Sequence, residues 1–87
     1  QRLIAPKLQE VLQQAKTDII AGVGFSKVAT QSMTKLQDLG FEIDYFNITD
    51  AKTLAPADTD AENLVLLAAV KLGQTRLIDN ISFSLNP

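Results

Sequence analysis

The stretch "LVLLAAVKLGQTRLIDNISFSL" (residues 64–85) decides the fold of this chain. Its first arm, 64–72, is so apolar that periodicity alone fits either a helix or a strand. The dipeptide Gly73–Gln74 favours a strand, because glycine at the first position of a two-residue loop is typical of a type II′ hairpin turn. Residues 75–85 then alternate in polarity, which predicts the second strand of the hairpin.

Two charged residues interrupt this second strand. Arg76 and Asp79 are three positions apart, so their side chains should point to opposite faces and not pair with each other. We expect Asp79 to meet a backbone N–H or a basic helix side chain, and Arg76 to meet a loop carboxylate or a neighbouring domain. A partly buried charge of this kind can specify packing, so we interpret Asp79 as fixing the strand against a helix.

The upstream segment "FEIDYFNIT" (41–49) is rich in β-branched and aromatic residues and predicts a third strand. Ile43 and Tyr45 would lie on one face, and Phe46 and Ile48 on the other. Apolar residues on both faces indicate a central or well-covered strand. In the polar connection 50–63, Pro56 argues against a sheet position, and we expect Leu54 to anchor the connection in the core.

Two amphipathic helices precede the strands. The first should cover residues 5–20 and stop at Gly22. The second should begin with Ser26 as its N-cap and end where Gly40 and Phe41 follow Leu36. The predicted fold is therefore α+β, two helices packed on a small three-stranded antiparallel sheet in the order ααβββ.

Composition excludes several function classes. The chain has 87 residues, enough for one small domain, and contains no cysteine and no histidine. Serine–histidine and cysteine–histidine catalysis therefore cannot occur within it, and it offers no thiolate metal site. Residues 38–63 carry seven acidic side chains and one lysine, which disfavours nucleic-acid binding. No apolar stretch is long enough to span a bilayer.

Three short motifs could suggest chemistry, but each has a plainer interpretation. "GVGFSK" (22–27) lacks the end of a phosphate-binding loop and joins two helices. "DTDAEN" (58–63) lacks the glycine and the final glutamate of a calcium loop. Asp44 and Asp50 could be imagined as an acid/base pair, although solvated carboxylates at strand ends explain them better. We predict no catalytic, cofactor-binding or metal-binding residue in this chain.

Two blocks of the sequence resemble a known family. "FNITDAKTL" (46–54) and "LVLLAAVKLGQTRLIDNI" (64–81) closely resemble the carboxy-terminal domain of the pantothenate synthetase (pantoate–β-alanine ligase) family. "IAPKL" (4–8) is similar to the start of the first helix of that domain. The resemblance covers nearly the whole chain, and its block "RLIDN" (76–80) is the most diagnostic part.

The resemblance implies a function that the residue patterns do not reach by themselves. Such ligases use ATP and Mg²⁺ to activate pantoate as pantoyl adenylate, and β-alanine then displaces AMP. Their amino-terminal domain is Rossmann-like and carries the histidine motif and the basic loop, both of which are missing here. The resemblance also implies a cytoplasmic parent enzyme that dimerises through that other domain.

We therefore expect residues 1–87 to be a single domain, the lid of a longer ligase, and inactive alone. The chain begins at Gln1 without methionine, which also suggests a fragment. The structural or interdomain candidates are Asp50, Arg76, Asp79 and Asn80. The alternative is a non-catalytic α+β interaction module that dimerises through its sheet edges.

Overall fold

The computed structural model describes residues 4–58 and 61–85 and confirms the predicted α+β architecture. The strands form one antiparallel sheet in the order β1-β2-β3. Gly73 has φ 61° and lies between the paired residues Leu72 and Thr75, so the predicted two-residue turn is confirmed. The elements are α1 (Ile4–Ile20), α2 (Phe25–Asp38), β1 (Glu42–Asp50), β2 (Asn63–Leu72) and β3 (Thr75–Ser84).

Both helices pack on one face of the sheet, with α1 over β3 and α2 over β1. The core between the layers is continuous and aliphatic, and alternate residues of β2 supply its floor. Because β2 is paired on both sides and covered by both helices, it is the most buried element. The largest fully buried side chains are Leu8, Leu12, Leu36, Leu64, Leu66, Val28 and Val70.

The prediction that β1 is a central strand is wrong, because β1 lies at the edge of the sheet. A β-bulge between Ile43 and Tyr45 leaves Asp44 as an extra residue in the pairing with β2. The bulge shifts the alternation by one, so Ile43, Phe46 and Ile48 all pack against the core. The apolar residues at both odd and even positions of β1 are therefore explained by the bulge and not by burial of both faces of the strand.

The connection after β1 folds back along the outer edge of that strand. Thr49 and Pro56 form an antiparallel bridge, and the Ala57 N–H donates to the Ile48 carbonyl at 3.0 Å. Pro56 thus occupies an edge position, contrary to expectation, where its missing N–H costs no ladder bond. This pairing covers part of an edge that would otherwise present free backbone groups.

Leu54 does not anchor this connection in the core, as the sequence suggested. Its side chain is 66% exposed and its φ is 62°. The turn places Leu54 at a left-handed position, where most of its side chain stays exposed to solvent beside the beginning of α2. The core contacts of the connection come instead from Ala61, which is buried in the core, and from Ala57, which packs against it.

Both helices end where the sequence predicts, and α2 begins two residues earlier than predicted. The Phe41 N–H donates to the Leu36 carbonyl at 3.0 Å and the Gly40 N–H to the Gln37 carbonyl at 2.9 Å, which together form a Schellman motif. Helix α1 ends in the same way around Gly22, which has φ 98°. The predicted N-cap Ser26 is wrong, because α2 begins at Phe25 and its N-cap is Gly24.

We predict that Gly40→Ala lowers the free energy of unfolding by about 1 kcal/mol, because a side chain at a left-handed position is strained. Gly40 has φ 95°, and an added Cβ would meet Leu72 only at an ordinary 3.7 Å, so strain and not a clash causes the loss. Urea denaturation of the chain measures it. Gly40→Asn is the control and should lose less, since asparagine tolerates this conformation; equal losses contradict the prediction.

Candidate functional site

On the face of the sheet opposite the helices, the side chains form four cross-strand rows. The row at the hairpin end, Glu42–Lys71–Arg76, is charged, and we call the other three rows the outer sheet face. The strand register aligns these rows across β1, β2 and β3. The central column is apolar, while at least one side chain with a hydroxyl or amide group stands beside it in each row. The rows are Tyr45–Ala69–Ile78, Asn47–Leu67–Asn80 and Thr49–Val65–Ser82.

Burial within this face is uneven. Ala69, the small residue between Tyr45 and Ile78, is fully buried, whereas Ile78 is 62% exposed. Leu67 is half-buried although no helix covers this side. An apolar centre with a polar surround is the usual composition of a protein–protein interface, so the outer sheet face is the candidate contact surface of the domain.

Arg76 lies at one end of the outer sheet face, paired with a carboxylate. Its Nε is 3.0 Å from Oδ2 of Asp44, the extra residue of the bulge, and the two side chains are 52% and 35% exposed. The pair links the two outer strands across β2. The predicted partner of Arg76 was a loop carboxylate; the bulge supplies a strand carboxylate in its place.

Asp79 lies on the opposite, helix-facing side, as its spacing from Arg76 predicts. Its Oδ2 accepts a hydrogen bond from Nε2 of Gln9 in α1 at 2.8 Å, and its Oδ1 accepts the Asn80 N–H at 2.8 Å. The expected backbone N–H is thus present, from Asn80, while the partner on the helix is the Gln9 amide and not a basic side chain. Asp79 pairs in register with Ala68, whose small side chain adds little bulk beside this polar contact.

The four candidate residues do not converge on one site. Arg76 and Asn80 belong to the outer sheet face and its end, and Asp79 belongs to the contact with α1. Asp50 accepts the Lys52 N–H on its Oδ1 at 2.8 Å and so shapes the turn after β1. Asp44 and Asp50 stand near opposite ends of β1, and Asp44 is engaged by Arg76. Sequence reasoning missed Asp44 as the partner of Arg76, and the bulge that places it had only an indirect signal.

The remaining motifs add no chemistry to the described residues. "GVGFSK" runs from the turn after α1 into the first turn of α2 and so joins the two helices, as predicted. Part of "DTDAEN", residues 59 and 60, lies outside the described ranges. Within residues 4–58 and 61–85, no three acidic side chains gather closely enough to hold a metal ion. Neither described helix is long and apolar enough to cross a membrane.

Comparison with known proteins gives one consistent family. Residues 1–82 match the family model described as pantoate-beta-alanine ligase. The pantothenate synthetase of Alcanivorax borkumensis is 45% identical over 97% of this chain and 30% of its own length. The pantothenate synthetase of Hahella chejuensis is 42% identical over 98% of this chain and 30% of its own length.

A solved structure shows the same fold. The pantothenate synthetase of Thermus thermophilus superposes with a TM-score of 0.79 at 24% identity, over 95% of this chain and 30% of that one. The chain therefore spans about 30% of the length of the relatives that it matches. The matched part is the carboxy-terminal part of those proteins.

We predict that the Gln9–Asp79 hydrogen bond stabilises the domain. Asp79→Ala should lower the melting temperature and cost about 1–2 kcal/mol, because the bond joins a half-buried carboxylate to an amide. A double-mutant cycle with Gln9→Ala, followed by thermal denaturation, isolates the bond. Asp38→Ala, at the exposed end of α2, is the control. If Asp79→Ala changes only substrate affinity in the parent enzyme, the structural role is refuted.

The Arg76–Asp44 pair should contribute little stability. We predict a coupling energy of about 0.2–1 kcal/mol, since both partners are solvent-accessible and the pair is screened by salt. A double-mutant cycle of Arg76→Ala and Asp44→Ala at low and high ionic strength measures it. A larger coupling that persists at high salt would mean that the pair is shielded from solvent.

Proposed function

Because the chain belongs to the pantoate–β-alanine ligase family, we propose that it forms the carboxy-terminal lid domain of a pantothenate synthetase. The observation that carries the proposal is the family match over residues 1–82, combined with a span of about 30% of the relatives' length. In the proposed reaction, the carboxylate of pantoate attacks the α-phosphorus of ATP and pyrophosphate leaves. The amine of β-alanine then attacks the acyl carbon of pantoyl adenylate, AMP leaves, and the amine loses a proton.

We assign the chemical steps to an amino-terminal domain of the same polypeptide. The chain has no histidine, and its candidate charged residues point in different directions. Within the described residues no carboxylate cluster suits Mg²⁺, so ATP and its metal ion belong to the other domain in this proposal. We further propose a cytoplasmic parent enzyme that dimerises through the amino-terminal domain.

A lid contributes by excluding water. An acyl adenylate hydrolyses when water reaches it, and closure over the active site removes that competing reaction. A lid must therefore move as one body. The continuous core between the helices and β2 supports this requirement, because it leaves no internal layer that could open separately.

The candidate residues then divide into two roles. We propose that Arg76 and Asn80, on or beside the outer sheet face, contact the amino-terminal domain. Asp79 and Asp50 act inside the lid, where Asp79 holds α1 and Asp50 shapes the turn after β1. Exposed polar groups around an apolar centre suit a contact that forms and breaks during turnover.

The alternative is an interaction module that dimerises through sheet edges. One edge is poorly suited to it, because residues 55–57 already pair with the end of β1. Strand β3 forms the other edge of the described sheet. Sedimentation of the isolated chain separates the two functions: association that rises with concentration supports the module, and a concentration-independent monomer supports the lid.

We predict that deleting residues 1–87 from the full-length ligase lowers pantothenate formation and raises hydrolysis of the adenylate, because water then reaches the intermediate. The assay follows AMP and pantothenate made from ATP, pantoate and β-alanine. The chain alone should form neither product. An unchanged rate and unchanged hydrolysis after the deletion would exclude the lid role.

A further inference from the structure

Leu54 combines two unfavourable features. It is the one non-glycine residue with a positive φ, 62°, in the described part of the chain. A left-handed conformation costs an L-residue about 1–2 kcal/mol. Its side chain is also 66% exposed, more than that of Ile78, Ile20 or Leu39. Burial within the domain therefore does not offset the strain, and such strain points to a function.

The turn that carries Leu54 is firmly held. The Leu54 N–H donates to the Asp50 carbonyl at 2.7 Å, and the Ala55 N–H donates to Oγ1 of Thr53 at 3.2 Å. The Asp50 N–H in turn donates to the Ala55 carbonyl at 2.9 Å, which closes a four-residue hairpin loop over 51–54. The last position of this loop would suit glycine or asparagine, yet it presents a leucine in a fixed direction.

An apolar groove lies beside this leucine. It has a volume of about 400 Å³ and runs between the beginning of α2 and the end of β1. Its walls are mostly hydrophobic, and Leu54 stands on its rim. The apolar residues that line it are Phe25, Ala29, Phe46, Ile48, Leu54 and Pro56.

Leu54 is also far from the point where preceding chain would enter. Helix α1 runs parallel to β3, because Gln9 meets Asp79 while Lys16 lies 5.9 Å from the ring of Phe83. The beginning of α1 is therefore near the Gly73–Gln74 turn. Leu54 follows Asp50, which is aligned with the opposite end of the hairpin. A rotation about the start of α1 would move Leu54 a long way.

We propose that Leu54 and its groove form a second contact surface, separate from the outer sheet face, by which the lid docks, on closing, onto an apolar recess in the preceding domain of the same polypeptide. This inference rests on the proposed lid function. One leucine and a groove are too small for a stable dimer, which needs roughly 800 Å² from each partner. A tethered domain needs far less, because the tether raises its effective concentration to the millimolar range.

The test compares Leu54→Asn with Leu39→Asn in the full-length ligase. Asparagine tolerates the left-handed conformation, so Leu54→Asn removes the apolar contact without adding strain. We expect kcat/KM for β-alanine in pantothenate formation to fall roughly tenfold, the loss of one buried leucine contact, and AMP release without pantothenate to rise. The thermal midpoint should stay the same or increase. The Leu54→Met variant keeps an apolar side chain and should retain most of the kcat/KM that Leu54→Asn loses.

Leu39 is the matched control, since it is 46% exposed and adjoins Gly40, which lies beside Leu72 at the hairpin end. Leu39→Asn should leave kcat/KM and coupling unchanged. If both variants behave alike in an active ligase, the docking surface is refuted while the lid function stands. A drop in thermal midpoint for Leu54→Asn, or a change in its oligomeric mass, would also overturn the inference. A full-length protein that forms no pantothenate refutes the proposed function itself.

Discussion

Burial of the central strand β2 against two helices is the constraint on which the rest of the structure depends. Leu64, Leu66, Ala68 and Val70 form the floor of the core, and both outer strands take their register from β2. Because one face of this strand must be covered, the helices occupy it and the opposite face is left uncovered. The same strand thus creates both the rigid interior and the exposed surface that the proposed function uses. At roughly 25 cal/mol per Å² of buried apolar area, this burial contributes more to the free energy of folding than any exposed ion pair among the described residues.

Where local signals were strong, the sequence predicted the fold. The hairpin followed from one glycine in a two-residue turn, and both helix ends followed from glycines at left-handed positions. Strand β1 was misplaced because a bulge changes the phase of the alternation at Asp44 without a turn residue to mark it. In retrospect, the change of parity between Ile43 and Phe46 was the only available signal. The prediction for Leu54 is wrong for a different reason. Its hydrophobicity suggests burial, whereas its left-handed backbone conformation has no signal in the sequence.

The candidate residues show the limits of pattern reasoning at a site. Spacing correctly separated Arg76 and Asp79 onto opposite faces, because strand geometry alone determines that result. It could not supply their partners, since Asp44 and Gln9 are brought near by the bulge and by the position of α1. Function came from the family resemblance and not from these charges. In the proposed lid role, the domain contributes shape and motion to the reaction and needs no cluster of ionisable groups, so a search for catalytic motifs would not find it.

The contact between Gln9 and Asp79 has a mechanical consequence. The hydrophobic contribution to the packing of a helix on a sheet is non-directional. A hydrogen bond is directional, and this one favours one rotation of α1 about its own axis, the one that points Gln9 at β3. Helix α1 is also the first element of the domain along the chain. In the proposed lid, a rotation of α1 would therefore be passed to the sheet through this bond as well as through the core.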